Sequence, residues 1–443
     1  MKKIHITTLG CDKNTVDAQL MLGMLKQNGY TLEPDPGSAE IIVVNTCCFI
    51  QAAKEESIDY ILEYSHFKET GSCDVLIVSG CMAERYHEAL AIEIPEIDGF
   101  LGVGHVNNII DLLDDIRSGV KNEVLSGNIN SPYIENVDRF IEEDTVTAYL
   151  KISEGCDHHC TYCIIPQIRG KHRSRKPADI YKEAAYLEKK GVSELILIAQ
   201  DVTQYGRDLD GEENLGRLLT RLSEDFNFHW IRLLYLYPEG ITEELLHVIE
   251  NHPNICHYFD LPIQHTEDKI LKRMGRQITK EALFKKIERI RSILPDAVLR
   301  TSIITGFPGE TEEDHLGLLA SLKALKIDRL GVFKYSQEEG TPAAEFPNQI
   351  KEEVMDQRFN DIYKQQEIIT AEANQTFVGK ILDVIIETME EPGTYSGRLY
   401  GDAPEIDCVV FVDSKEGSLD IGNFYKVKII QALDYDLIGD VER

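Results

Sequence analysis

No window of the 443-residue chain approaches eighteen uninterrupted apolar residues, so no membrane-spanning helix is expected. Positive charge is scarce. Lys and Arg number 46 against 76 Asp and Glu, a formal net charge of −30, which repels nucleic acid over most of a surface and suits basic partners, or serves solubility alone. The opening MKKIHITTLGC has two lysines but no apolar run behind them, so no secretion signal is expected. Heptads, solenoid periods and low-complexity tracts are missing too. Ten cysteines without a secretion signal point to a reducing, cytoplasmic setting where thiols serve metals or catalysis.

What is present reads as three regions, within the two to four domains that the length suggests. Over the first 130 residues the β-branched runs KIHITTLG, EIIVVNT, DVLIVSG and GFLGVG alternate with helical stretches such as DAQLMLGMLKQNG. That rhythm predicts a doubly wound parallel α/β domain. A second alternation starts at TAYLKIS and runs through SELILIAQ, WIRLLYLYP, YFDLPIQH, VLRTSIITGF and RLGVFKYS. Six βα units predict a partial (β/α)6 TIM-like barrel, shorter than a closed eight-stranded one. A charged helix is expected from Lys351 to about Asn374. From Thr376 onward only strands and turns follow, which suits a small all-β barrel of five strands. The expected domains are 1–135, 136–374 and 375–443.

Cys11, Cys47 and Cys81 each follow a strand of the first region, so three thiols should converge on the ligand-binding edge of a parallel sheet. Each also precedes a predicted helix, whose dipole favours a thiolate. The bland alternative is three buried packing cysteines; Cys48, Cys73, Cys256 and Cys408 are read that way. A second trio lies in EGCDHHCTYC, where Cys156, Cys160 and Cys163 follow the first barrel strand. Zinc, completed by His158 or His159, is one reading. An iron–sulfur cluster with three protein ligands and one open iron is the other.

CxxxCxxC after the first strand of a partial barrel resembles the radical S-adenosylmethionine enzymes. The segments LGCDKNTVDAQ, VVNTCCFI, VSGCMAER, KISEGCDHHCTYCIIPQIRG, ITGFPGE and YSQEEGTPAA are similar to the methylthiotransferases of that superfamily, and the likeness covers essentially the whole chain. The resemblance implies two 4Fe-4S clusters, one on Cys156, Cys160 and Cys163 that binds S-adenosylmethionine at its open iron, and an auxiliary one on Cys11, Cys47 and Cys81 that carries the sulfur. It implies a C-terminal barrel of the TRAM type. It also implies that one cofactor molecule methylates the sulfur and another supplies the 5′-deoxyadenosyl radical, so no conventional acid or base is nominated. Tyr162 matches a position whose aromatic lies near the adenine. Gln200 and Asp201, after the second barrel strand, and Gly306 and Glu310, around the fifth strand's loop, are further cofactor-binding candidates.

Such enzymes modify either adenosine in tRNA or the β-carbon of an aspartate in ribosomal protein S twelve. Residues 376–443 hold 6 Lys and Arg against 14 Asp and Glu, a net of −8, which opposes phosphate contacts and suits a basic ribosomal protein, free or within the small subunit. LGCDKNTVD resembles the LGCxKNxVD form of the protein-modifying branch rather than GCQMN, although Asp12 and Ala18 replace its commoner serines. RLLYLYP, FDLPIQH and GRLYGDAPEIDCVVFV agree with that branch. The alternatives are a tRNA adenosine methylthiotransferase and a non-catalytic metal-binding ribosome factor. An electron donor and a sulfur donor are implied partners. The basic run RGKHRSRK at 169–176 either steers an anionic group or is a solvated loop.

Overall fold

The computed structural model describes every residue except 1, 121, 128, 131–138, 415, 416 and 443. In the first region the strands are β1 (Lys3–Thr8), β2 (Thr31–Leu32), β3 (Ile41–Thr46), β4 (Val75–Gly80), β5 (Gly99–Leu101) and β6 (Glu123–Leu125). They form one parallel sheet in the order β2-β1-β3-β4-β5-β6. β3 and β4 are buried along their whole length, as both-faced parallel strands must be. Ile41 and Val43 pack with Met21 and Leu25 of α1 (Asp12–Gln27), while Ile42 and Val44 pack with Ile61 of α2 (Gln51–Ser65). Period-two alternation therefore serves two helical layers at once. After the single-turn α3 (Phe67–Thr70) comes α4 (Cys81–Glu93).

The middle region follows the expected alternation. β7 (Thr147–Lys151) leads to β8 (Ser153–Glu154), which pairs antiparallel with β9 (Arg173–Ser174) across the cysteine loop, then to β10 (Glu194–Ile198), β11 (Trp230–Leu233), β12 (Tyr258–Asp260), β13 (Val298–Thr305) and β14 (Arg329–Lys334). The sheets β11-β10-β7 and β12-β13-β14 are joined by the single bridge Ile231↔Ile255, which makes a six-stranded open barrel. Leu195 and Leu197 face its outer helices. Ile196, Ile198, Trp230, Tyr258 and Val298 face inward, into a core shared with both other regions. The expected boundary between residues 135 and 136 lies outside the described residues.

Beyond the helix Glu352–Gln375 the chain closes a barrel in the order β15-β16-β17-β19-β18, from β15 (Ile381–Glu391), β16 (Thr394–Arg398), β17 (Val410–Asp413), β18 (Phe424–Ala432) and β19 (Leu437–Val441). Closure removes the exposed strand edges. A belt of buried ion pairs fixes it to the open barrel: Glu194 receives Arg232 at 2.8 Å and Arg398 at 2.6 Å, Arg329 meets Asp402 at 2.7 Å, and Arg300 meets Asp407 at 3.2 Å. Two acids counted as surface charge are thus internal, as is Arg398. No helix among the described residues is long and apolar enough to cross a membrane.

Candidate active site

β1, β3 and β4 are neighbours in register, so their carboxyl ends lie side by side. With strands roughly 4.8 Å apart, Cys11, Cys47 and Cys81 share one edge. Gly10, at φ +90°, is required there: a Cβ would fall 2.6 Å from that of Cys47. Asn14, fully buried, ties the loops together by donating to the carbonyls of Leu9 (2.8 Å) and Thr46 (3.0 Å). Cys11 caps α1 and Cys81 opens α4, but Cys47 lies four residues ahead of α2 and has no helix dipole behind it. Nor does a dipole prevail at the other buried thiols. Burial pushes Cys47 and Cys81 up, and the neighbouring thiols of the trio add to the rise.

The second trio sits on the loop after β8. Burial pushes Cys156 up to about 12, with Cys160 contributing, and raises Cys163 for the same reasons. Asp201 holds His158 at 2.7 Å, Gln204 bonds it at 2.8 Å, and Tyr237 stacks on its ring at 3.9 Å between centroids. His158 therefore braces the loop rather than standing by, while His159 is exposed. The Tyr237 hydroxyl is 3.8 Å from Cys160 Sγ. Arg276 covers the same ring at 4.2 Å. Its Nε, Nη1 and Nη2 are buried without a hydrogen-bond partner, and the nearest carboxylate, Glu239, is 3.9 Å away.

Between the trios runs a buried seam. Arg169 donates to both Glu154 oxygens at 3.1 Å and to Asn14 Oδ1 at 2.6 Å, and its Nη2 is 3.6 Å from Cys81 Sγ. Lys151 joins Asp17 (2.5 Å) and Glu154 (2.8 Å). Burial alone would raise the Glu154 carboxyl; Arg169 and Lys151 overbalance it and hold the group far below the carboxylate range. The basic run divides: Arg169, which opens it, and Arg175 turn inward, the latter onto Glu183 at 2.7 Å, while Lys171 and Lys176 stay exposed. A second bridge is the segment Tyr235 to Tyr237. Tyr235 holds φ +61°, a strained state for an aromatic residue. Its N–H donates to Asp260 and its hydroxyl to Asp12, both at 2.9 Å.

Gln200 enters the seam, donating to Glu154 at 2.7 Å and leaving its buried Oε1 unpartnered. Asp201 reaches the second trio through His158. Tyr162 packs edge-on to Phe307 at 6.5 Å within a small core that also holds Met274 and Tyr335. Gly306 and Glu310 flank Phe307 of the same small core. A Cβ on Gly306 would strike Met355, and Glu310 accepts from the N–H groups of Gly306 (2.5 Å) and Phe307 (3.1 Å), so it orders its own loop. Burial raises its carboxyl to about 7 against the pull of Arg358. Asn14, Arg169, Tyr235, Tyr237 and Arg276 were not read as site residues. Their partners lie tens to hundreds of positions away, and only motif membership marked the first four.

The donor sets fit iron–sulfur clusters. Each trio is all sulfur, with two of its three cysteines buried and the third, Cys11 or Cys163, partly so, and its thiols are close enough to perturb one another. Three thiolates are the donor set of an iron–sulfur cluster with one open iron. The Arg276 guanidinium, which makes no hydrogen bond, lies close enough to Cys160 to interact with it.

Residues 3–102 match the uncharacterized protein family UPF0004, residues 150–322 the radical SAM superfamily and residues 378–441 the TRAM domain. The ribosomal protein uS12 methylthiotransferase RimO of Clostridioides difficile is 50% identical over 441 residues, spanning 100% of this chain and 99% of that protein. The chain belongs to this family. The protein of the same description from Desulforamulus reducens is 47% identical, with 100% of each chain covered. Membership makes the chain a radical SAM methylthiotransferase, an enzyme that uses an iron–sulfur cluster and S-adenosylmethionine. Among solved structures, the radical S-adenosylmethionine methyltransferase TsrM from Kitasatospora setae, with cobalamin and a 4Fe-4S cluster bound, superposes with a TM-score of 0.56 at 14% identity over 77% of each chain. The cobalamin-dependent enzyme OxsB gives 0.51 at 14% identity, over 82% of this chain and 56% of its own. These two share the fold.

Proposed function

We propose that this enzyme methylthiolates ribosomal protein uS12 at the β-carbon of an aspartate. The observation that carries the reading is the pair of cysteine trios joined by one seam, with Arg169 at Cys81 and Glu154 and the Tyr235 to Tyr237 segment spanning from Asp12 to Cys160. Cys11, Cys47 and Cys81 would hold an auxiliary 4Fe-4S cluster in a domain of residues 1–135. Cys156, Cys160 and Cys163 would hold the other in residues 136–374, with the TRAM domain at 375–443. When bound, the clusters and S-adenosylmethionine supply the radical and sulfur chemistry that protein acids and bases lack.

The chain's own residues bind and orient. Arg276 would take the cofactor's carboxylate, the Gln200 Oε1 its ammonium, and Tyr162 the adenine side. Asp201 keeps His158 and the cluster loop in place, and Gly306 and Glu310 shape the neighbouring loop. Burial of the seam excludes water. An electron donor and a sulfur donor complete the reaction.

Anaerobic reconstitution tests this. About eight irons and eight sulfides per chain are expected, and purified uS12 incubated with reductant, sulfide and S-adenosylmethionine should gain one SCH2 unit by mass. Stoichiometric zinc with no mass gain would overturn the reading in favour of a metal-binding ribosome factor.

A further inference from the structure

Lys13, two residues beyond Cys11 on the first turn of α1, is only 5% exposed. Its Nζ stands 2.9 Å from the centroid of the Tyr235 ring, and no oxygen acceptor among the described residues bonds it. The carboxylates around it are engaged elsewhere. Asp12 accepts from the Tyr235 hydroxyl, Asp17 takes Lys151 and Arg169, and Glu154 takes Lys151, Arg169 and Gln200. Burial works against its charge and the Cys11 thiol is the first group that favours it; a buried ammonium whose three donors meet only that sulfur and an aromatic face is still short of acceptors. An oxyanion brought from outside would supply them.

The place is informative. Cys11 of the first trio lies two residues away, and the ring that Lys13 touches belongs to the segment whose other end, Tyr237, reaches Cys160 of the second. An anion at Lys13 therefore lies between the sulfur-carrying side and the radical-generating side. In an aspartate the carboxylate is bonded directly to the β-carbon, so gripping the one places the other.

We propose that Lys13 binds the carboxylate of the substrate aspartate and thereby selects a carboxylate-bearing side chain. This rests on the aspartate reading under "Proposed function". Lys13→Met keeps the length of the side chain and removes the charge. Dissociation constants of the reconstituted holoenzyme for uS12, and for uS12 with that aspartate changed to asparagine, form a double-mutant cycle. Wild type should bind the aspartate form about 10- to 100-fold more tightly, the range of a buried charge-assisted hydrogen bond, and Lys13→Met should bind both forms within about threefold of each other. Lys13→Arg should retain the preference. Full discrimination by Lys13→Met, with its iron content and melting intact, overturns the proposal, as does a wild type indifferent to the change. Should Lys13→Met fail to load iron, Lys13→Gln is read by the same cycle. Failure of the underlying reading is recognised separately, because wild type would then add no SCH2 to uS12.

Discussion

Glu194 offers the sharpest test of how the C-terminal barrel is held. It opens β10 with no exposed surface and lies between Arg232 and Arg398, the latter contributed by β16 of the other barrel. Burial pushes its carboxyl up, and the two guanidinium groups overbalance that, bringing it from 4.5 down to about 2. A displacement of that size is worth roughly 3 kcal/mol of stability at neutral pH. Glu194→Gln should lose about 3–5 kcal/mol, since buried Arg232 is left without a carboxylate and Arg398 keeps only the partly exposed Glu387. The chain's single tryptophan reports the event: Trp230 lies 4.7 Å, edge-on, from Phe424 of β18 across the same interface. Urea unfolding followed by its fluorescence should show the variant's transition at lower denaturant at pH 7. A depressed carboxyl stabilises above its unfolded value and ceases to do so as pH falls through its folded one. The gap between wild type and variant should therefore close between about pH 4.5 and pH 2. A gap under about 0.5 kcal/mol at pH 7, the size of an ordinary surface substitution, or one indifferent to pH, would refute the reasoning.

Replacing Cys11, Cys47 and Cys81 together with Ala should lower iron from about eight to about four per chain and abolish methylthio transfer while reductive cleavage of S-adenosylmethionine persists. Loss of cleavage in the folded variant would contradict the division between the trios. Arg276→Met should weaken S-adenosylmethionine binding about tenfold or more by equilibrium dialysis, because a charged donor set facing the carboxylate disappears. Unchanged affinity would remove Arg276 from the cofactor site.

Three regions, two parallel sheets and both trios were legible because their signals are local: a β-branched run, a helix, and a cysteine where one passes to the other. What escaped depends on docking. Asp402 and Asp407 looked like surface acidity, yet they meet Arg329 and Arg300, 73 and 107 positions away, only once the barrels are packed. The count behind the acidic-surface argument therefore overstates what a partner meets. Arg169 belonged to an apparently solvated basic run and instead holds Glu154 beside the second trio and Asn14 beside the first. Cys47 was expected at a helix start, but a loop intervenes before Gln51. Glu310 was read as a cofactor-binding candidate from its loop alone; its acceptance of the Gly306 and Phe307 N–H groups shows only with the loop folded.

This site acts on a protein side chain and not on a nucleobase. Purified uS12 and bulk tRNA, offered together to the reconstituted enzyme under anaerobic conditions, test it in one tube. Fragment-ion mass spectrometry should place the added SCH2 on the β-carbon of one uS12 aspartate and find none on tRNA nucleosides; SCH2 on adenosine with unmodified uS12 would contradict the account.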